Sequence, residues 1–212
     1  MSQDSHTMTH REPEVWRSRG YIPHYHEPGM VQMITIRLHD SLPAVKLAEL
    51  NRSKTRLTKL QVRNALEAIY DAGHGECYLR DPRVAALAQG TLLHFDGDRY
   101  HLLSWVIMPN HMHVLVRFVK EFPVPRVLHS WKSYIANQGN KLIGRSGHFW
   151  QREYFDRFIR NETHFRNAVA YIEGNPVKAG LCRSSEDWPY SSAKLRAVGE
   201  VGSPIGSAEQ EM

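Results

Sequence analysis

The sequence predicts an α+β chain, an antiparallel sheet with helices packed against it. Three observations carry this. Residues 30–38 (MVQMITIRL), 100–108 (YHLLSWVIM) and 111–118 (HMHVLVRF) have the β-branched and apolar composition of strands. The segments between and after them carry helix starts and apolar residues at helical spacing. Only Pro109-Asn110 parts the second strand from the third, so these two form a hairpin in the centre of the sheet.

The elements follow in order. Residues 1–29 are polar, with Pro13, Pro23 and Pro28, and read as an arm. Residues 43–53 leave helix and loop both open. Thr58-Lys59-Leu60-Gln61 is a capping box, in which the Thr hydroxyl and the Gln side chain satisfy exposed amides. Leu66, Ile69 and Tyr70 then place a helix over 59–72, ended by Gly73 and Gly75. Asp81-Pro82 is a second start, an N-cap with Pro at the first helical position, for a helix reaching Phe95. Asp96-Gly97-Asp98 turns the chain into the hairpin.

Pro123 and Pro125 mark a loop before a helix over 127–143, with Leu128, Trp131, Ile135 and Gln138 near one stripe. Residues 148–156 read as loop, then strand. Asn161 caps a helix through Asn175, and Pro176 ends it. A short helix and a Trp188-Pro189-Tyr190 turn follow. Residues 198–212 are rich in Gly, Ser and Glu, and the flexible tail is drawn from 193. The division is thus an arm at 1–29, one domain at 30–192 and a tail at 193–212. The element order fits a ferredoxin-like arrangement.

Composition bounds the function. The 212 residues suit one domain, and 42% apolar with 23% charged excludes wholesale disorder. No run nears the ~20 apolar residues of a membrane span, and the first residues lack the pattern of a secretory signal. Only Cys77 and Cys182 are present, without a CxxC. That argues against a disulfide framework or a cysteine zinc site and points to the reducing cytoplasm. The net charge is +5. Residues 120–183 hold 11 Lys and Arg against 5 acids, whereas residues 1–29 hold 3 Arg against 4 acids. A polyanion would lie against the C-terminal half; a solvated basic face is the plain alternative.

Two constellations carry chemistry. His111 and His113 alternate on a strand and so share one face, half of a divalent-metal site, with Met112 pointing the other way. Hydrogen-bonded core histidines are the other reading. Tyr171 and Asn175 stand four apart on a helix and so project together. They read as nucleophile and metal ligand, or as a core aromatic and a helix cap. Tyr134 with Gln138 has the same spacing and is the rival nucleophile. Glu173 is expected to face solvent.

The stretch from Trp105 to Val116 (WVIMPNHMHVLV) resembles the HUH motif of the Y1 tyrosine transposases, the IS200/IS605-like group. Residues 147–152 (GHFWQR), 171–181 (YIEGNPVKAGL) and 187–192 (DWPYSS) extend the match toward the REP-associated tyrosine transposases, in family order, over about 30–192. The resemblance implies a single-strand DNA endonuclease and strand transferase acting on hairpin, REP-like DNA. Tyr171 would be the nucleophile, and His111, His113 and Asn175 would hold Mg²⁺ or Mn²⁺. Insertion-sequence members often carry Gln at the last position, and Asn175 is shorter. Dimers are known among those members and monomers suit the REP-associated subgroup, so both states stay open. A cytoplasmic, nucleoid-associated protein is implied.

Arg145, Arg152, Arg157, Arg160 and Lys178 are candidate phosphate contacts, and Trp150 and Tyr154 candidate stacking platforms for unpaired bases. Two other readings remain. One is a domesticated hairpin-binding protein without catalysis. The other is an unrelated HxH phosphoesterase, disfavoured because carboxylate-rich clusters are absent from the sequence.

Overall fold

The structure, a computed structural model, describes residues 16–18, 23–25, 29–53 and 57–203. Its elements run β1 (Trp16–Ser18), β2 (Pro23–Tyr25), β3 (Val31–Arg37), α1 (Ala44–Ser53), α2 (Lys59–Asp71), α3 (Pro82–Leu93), β4 (Tyr100–Ile107), β5 (His111–Phe118), α4 (Val124–Leu142), β6 (Phe155–Phe158), α5 (Glu162–Lys178) and α6 (Ser192–Ala197).

Four strands form one antiparallel sheet in the order β4-β5-β3-β6, and β1 pairs with β2 apart from it. The first sheet strand thus lies between the third and the fourth. This is the ferredoxin-like order, built from two strand-helix-strand crossovers with α3 and α4 as the crossover helices. The β4–β5 hairpin is present, with one register shift between Leu102 and Ser104, but it lies at one end of the sheet rather than in its centre: β4 is an edge strand, and β3, paired with β5 and β6, takes the middle.

The strands read as apolar runs because both faces of the sheet are covered. Ile34, Ile36, Met112, Val114, Trp105 and Ile107 pack against α3 and α4, where Trp131 and Leu128 lie. Met33, Val106 and Leu115 point the other way and pack against Phe165, Ala168 and Ile172 of α5. Burying each large apolar side chain contributes about 1.5–3 kcal/mol, and both layers draw on it. The face under α5 also carries the two histidines.

Helix starts follow their side chains. Thr58 and Gln61 make both bonds of the capping box. The Asp81 carboxylate accepts from the Arg83 amide, with Pro82 at the first position. The Asn161 side chain accepts from the His164 amide.

Four boundaries differ from the sequence reading. Residues 44–53, left open, form α1. α4 begins at Val124, because Pro125 sits in the first turn, where a missing amide hydrogen costs nothing. α5 runs through Pro176 to Lys178. Proline so close to the end removes one intrahelical bond, and the turn is still closed by Ala179 N–H to Asn175 O and Leu181 N–H to Pro176 O. Residues 192–197, mostly assigned to the tail, are α6, with Ser192 and Ala193 buried. Most of the 1–29 arm and residues 204–212 of the tail lie outside the described residues. Among the described residues, no helix is long and apolar enough to cross a membrane.

Candidate active site

The β3–β5 register places Thr35 opposite His113 and Arg37 opposite His111. Directly opposed residues share a face, so all four side chains point toward α5. Both imidazoles are buried, their ring centroids 4.7 Å apart, and the His113 ring meets the Tyr171 ring at 5.4 Å. Asn175, one turn beyond Tyr171, is fully buried. The structure therefore brings together His111, His113, Tyr171 and Asn175, four residues that two separate sequence patterns suggested. Tyr134 is on α4, which packs on the other face of the sheet, and it is 52% exposed. The sheet separates the rival tyrosine from the histidines.

Neighbours orient the imidazoles. His111 Nδ1 lies 2.8 Å from Asn110 Oδ1. The Asn110 amide nitrogen donates to the carbonyls of Tyr70 and His74, so its oxygen is the acceptor. His111 Nδ1 therefore carries the ring proton, and Nε2 presents a bare lone pair. His113 Nδ1 shares a 2.8 Å hydrogen bond with Thr35 Oγ1. Fixing one ring nitrogen so that the other is free is the usual preparation of a metal-binding histidine.

The unsatisfied atoms cluster here. His111 Nε2 and Asp71 Oδ1 are buried without a hydrogen-bond partner, and the buried Tyr171 hydroxyl and Asn175 amide make no well-formed hydrogen bond. Such an atom costs roughly 1–3 kcal/mol when nothing meets it, so several in one place mark where water or a ligand would bind. Two neutral imidazoles, an amide and a phenol oxygen form a donor set that fits a divalent cation with open positions. Among the described residues no three His, Cys, Asp or Glu side chains already converge as a metal cage.

Electrostatics agree with that donor set. Burial holds the His111 pKa well below its usual value, helped by His113, Arg37 and Lys178. Burial, with Arg37 and Lys178, lowers His113 from 6.5 to about 3. Both rings are neutral at physiological pH, the form that ligates. Burial raises the Tyr171 phenol far above 10, and the carboxylates of Glu67 and Asp71 raise it further; the Asn175 amide pulls the other way. A phenol held un-ionised in this way is a poor nucleophile unless positive charge stands beside it. Lys178 Nζ stands 5.7 Å from its ring centre.

The lowered histidine pKa values set a pH dependence of stability. The unfolded chain takes up protons below about 6.5 while the folded one does not until about 3. Stability is therefore undiminished above pH 7 and falls as pH drops from 6.5 toward 3. In metal-free urea unfolding, the wild type should lose stability between pH 7.5 and 5 more steeply than His113→Gln. Parallel curves would contradict the neutral, buried imidazole.

The candidate DNA contacts scatter. Lys178 alone sits at the site, its Nζ 2.7 Å from Asp71 Oδ2. Arg145 is committed to its own loop, donating to Asn140 Oδ1 and His148 O, with its guanidinium over the Tyr78 ring at 4.1 Å. Trp150 is 8% exposed and donates to Lys132 O, so it is chiefly a core residue rather than a presented platform. Trp150, Arg152 and Tyr154 nevertheless line a cavity of about 420 Å³ between α4 and residues 147–154, beside Lys132, Ser133 and His148. Arg157 and Arg160 are exposed near the start of α5. From there Tyr171 is some two and a half turns away, about 13 Å.

Several site residues carry no signal of their own in the sequence. Thr35 is found only once the strand register is known. Asn110 stands between the strands of the hairpin, where its sequence context marks only a turn. Asp71 closes a helix distant in sequence. Glu173 was expected in solvent, but it accepts from the Ser104 and Ser192 hydroxyls and pairs with Arg196. The segment around 188–192 folds back along β4, with Ile107 N–H bonded to Tyr190 O and Trp188 Nε1–H to Ile107 O, and so covers it.

Comparison with known proteins adds to this geometry. Residues 91–175 match the family model described as "Transposase IS200 like". An Escherichia coli K12 REP-associated tyrosine transposase is 30% identical over 97 residues, covering 44% of this chain and 54% of the relative. A Haemophilus influenzae protein provisionally bearing that name is 29% identical over 112 residues, 48% of this chain and 64% of the relative. The chain thus aligns with somewhat more than half the length of each relative. A solved REP-associated tyrosine transposase bound to a REP hairpin superposes with a TM-score of 0.49 at 19% identity, over 87% of this chain and 89% of that one. In its motifs, and in the match of residues 91–175 to the family model, this chain resembles the IS200-like transposases and, among them, the REP-associated tyrosine transposases.

Proposed function

We propose that the chain is a metal-dependent single-strand DNA endonuclease and strand transferase that forms a 5′-phosphotyrosine on hairpin, REP-like DNA. The observation that carries this is the convergence of His111, His113, the Tyr171 hydroxyl and the Asn175 amide, with their polar atoms buried, on one sheet face. The REP-associated names of the relatives support the DNA class.

Mg²⁺ or Mn²⁺, when held by His111, His113 and Asn175, supplies Lewis-acid stabilisation of charge on the phosphate. The protein supplies the rest. Asn110 and Thr35 keep the two imidazoles turned inward. α5 aims the Tyr171 oxygen from the same face. That oxygen attacks phosphorus in line and gives up its proton to water or to a neighbouring carboxylate. The bond from phosphorus to the 3′-oxygen breaks, and that oxygen leaves as a hydroxyl after gaining a proton. The DNA 5′-phosphate is then esterified to Tyr171, and attack by another 3′-hydroxyl reverses the step. Ester exchange conserves the bond energy, so no nucleotide cofactor is required.

Binding should be salt-sensitive and should favour single-stranded or hairpin DNA over plain duplex. Each neutralised phosphate adds about 0.7 to the single-strand salt slope, so four contacts give about 3. Neutralising Arg152, Arg157 and Arg160 together should weaken binding across sequences and flatten that slope, as read by fluorescence anisotropy at several salt concentrations. Neutralising Arg11, Arg17 and Arg19 should matter less, because acids offset that arm. Equal losses from the two triple variants, or duplex competing as well as hairpin, would contradict this surface.

A hairpin-binding protein without catalysis is the second reading. The placement of the Tyr171 ring against His113 and beside Asn175 favours catalysis over it, since hairpin binding alone needs no phenol next to the histidine pair. Hairpin DNA incubated with Mn²⁺ and run on a denaturing gel separates the two. A covalent complex is expected, and tight binding with no adduct would support the alternative.

A further inference from the structure

Two lone pairs face each other at the edge of the site. Asp71 ends α2, and its side chain is only 10% exposed. Its Oδ2 accepts from Lys178 Nζ at 2.7 Å. Its Oδ1 has no partner and lies 3.9 Å from His111 Nε2, which also has none. Because Asn110 holds the His111 proton on Nδ1, both facing atoms are acceptors. At 3.9 Å they make no hydrogen bond, and like partial charges repel in a poorly solvated place.

A divalent cation would satisfy both atoms at once. Metal–nitrogen and metal–oxygen bonds of about 2.0–2.2 Å allow two ligands of one ion to stand up to about 4.3 Å apart, so the observed spacing is within reach. We infer that Asp71 is a further ligand of the cation, its Oδ1 joining His111, His113 and Asn175. This rests on the metal-dependent reading above and deepens it. The two imidazoles and the amide are neutral. The Asp71 carboxylate adds the negative, hard oxygen donor that Mg²⁺ and Mn²⁺ prefer. No three such side chains already converge among the described residues, so this ligation requires the Asp71 carboxylate to shift toward the ion. The Lys178 ion pair holds it at the edge until then, and keeps Lys178 beside the Tyr171 ring.

The test is Mn²⁺ binding to the full chain without DNA, read by the loss of the free Mn²⁺ paramagnetic resonance signal. Asp71→Asn, nearly isosteric, should weaken Mn²⁺ binding at least about ten-fold, no less than loss of an outer partner of a ligand costs. Lys178→Met should bind Mn²⁺ no more weakly than the wild type. The paired variant Asp71→Asn with Lys178→Met leaves no uncompensated charge, should fold if the single one does not, and should also bind weakly. If either Asp71 variant binds Mn²⁺ like the wild type while His111→Ala with His113→Ala does not bind, Asp71 only anchors Lys178 and the inference is wrong. If the wild type binds no Mn²⁺, or the double histidine variant binds as well as the wild type, the metal reading itself fails and takes this one with it.

Discussion

Tyr171→Phe should abolish strand cleavage and the covalent adduct, a loss of at least about 10³-fold, while hairpin binding stays within about two-fold. The ring packs against His113 and beneath Lys178, and phenylalanine keeps that packing. Only the oxygen is lost. That oxygen is buried beside the Asn175 and Glu67 side chains. The variant should therefore fold and melt much like the wild type. Calorimetry and a cleavage assay on the same preparation check both halves. Cleavage retained by the variant would move the assignment to another tyrosine, and a much lowered melting temperature would mean that the loss of cleavage reports the fold rather than the nucleophile.

His111→Ala with His113→Ala should remove metal-dependent cleavage to a similar extent, because both nitrogen donors go together. The fold should survive. Met112, Val114 and Val116 pack on the opposite face of β5, against α3 and α4, and that layer is untouched. Two effects on stability oppose one another. Asn110 Oδ1 and Thr35 Oγ1 lose their partners, at roughly 1–3 kcal/mol each, while the unpartnered His111 Nε2 disappears. A modest net destabilisation is expected in urea unfolding. Metal-dependent cleavage persisting in this variant would exclude a catalytic metal at the histidine pair.

Much of this site was legible in the sequence because its signals are local. Alternation on a strand puts His111 and His113 on one side, and helical spacing puts Tyr171 beside Asn175. Capping residues at Thr58, Asp81 and Asn161 mark helix starts through bonds of only two or three residues' reach. What was not legible depends on tertiary placement. Glu173 looks like a solvent residue on its helix until the 188–192 segment folds over it. Trp150 looks like a base platform until the 147–154 loop packs it on α4. Pro176 looks like a stop signal, yet a proline in the last turn forfeits too little to end the helix. Asp71 gains meaning only because α2 ends against β5, a contact between residues 40 apart that no periodicity encodes. The choice of Tyr171 over Tyr134 needed the family's motif in the sequence, whereas in the fold the sheet itself makes it.

The most direct measurement is to trap the covalent product on hairpin DNA with Mn²⁺, digest the protein, and sequence the modified peptide by mass spectrometry. A single nucleotide adduct, linked through a 5′-phosphate to Tyr171 and lost in His111→Ala with His113→Ala, is the predicted result. An adduct on Tyr134 or any other side chain, or tight hairpin binding with no adduct under any divalent metal, would contradict it.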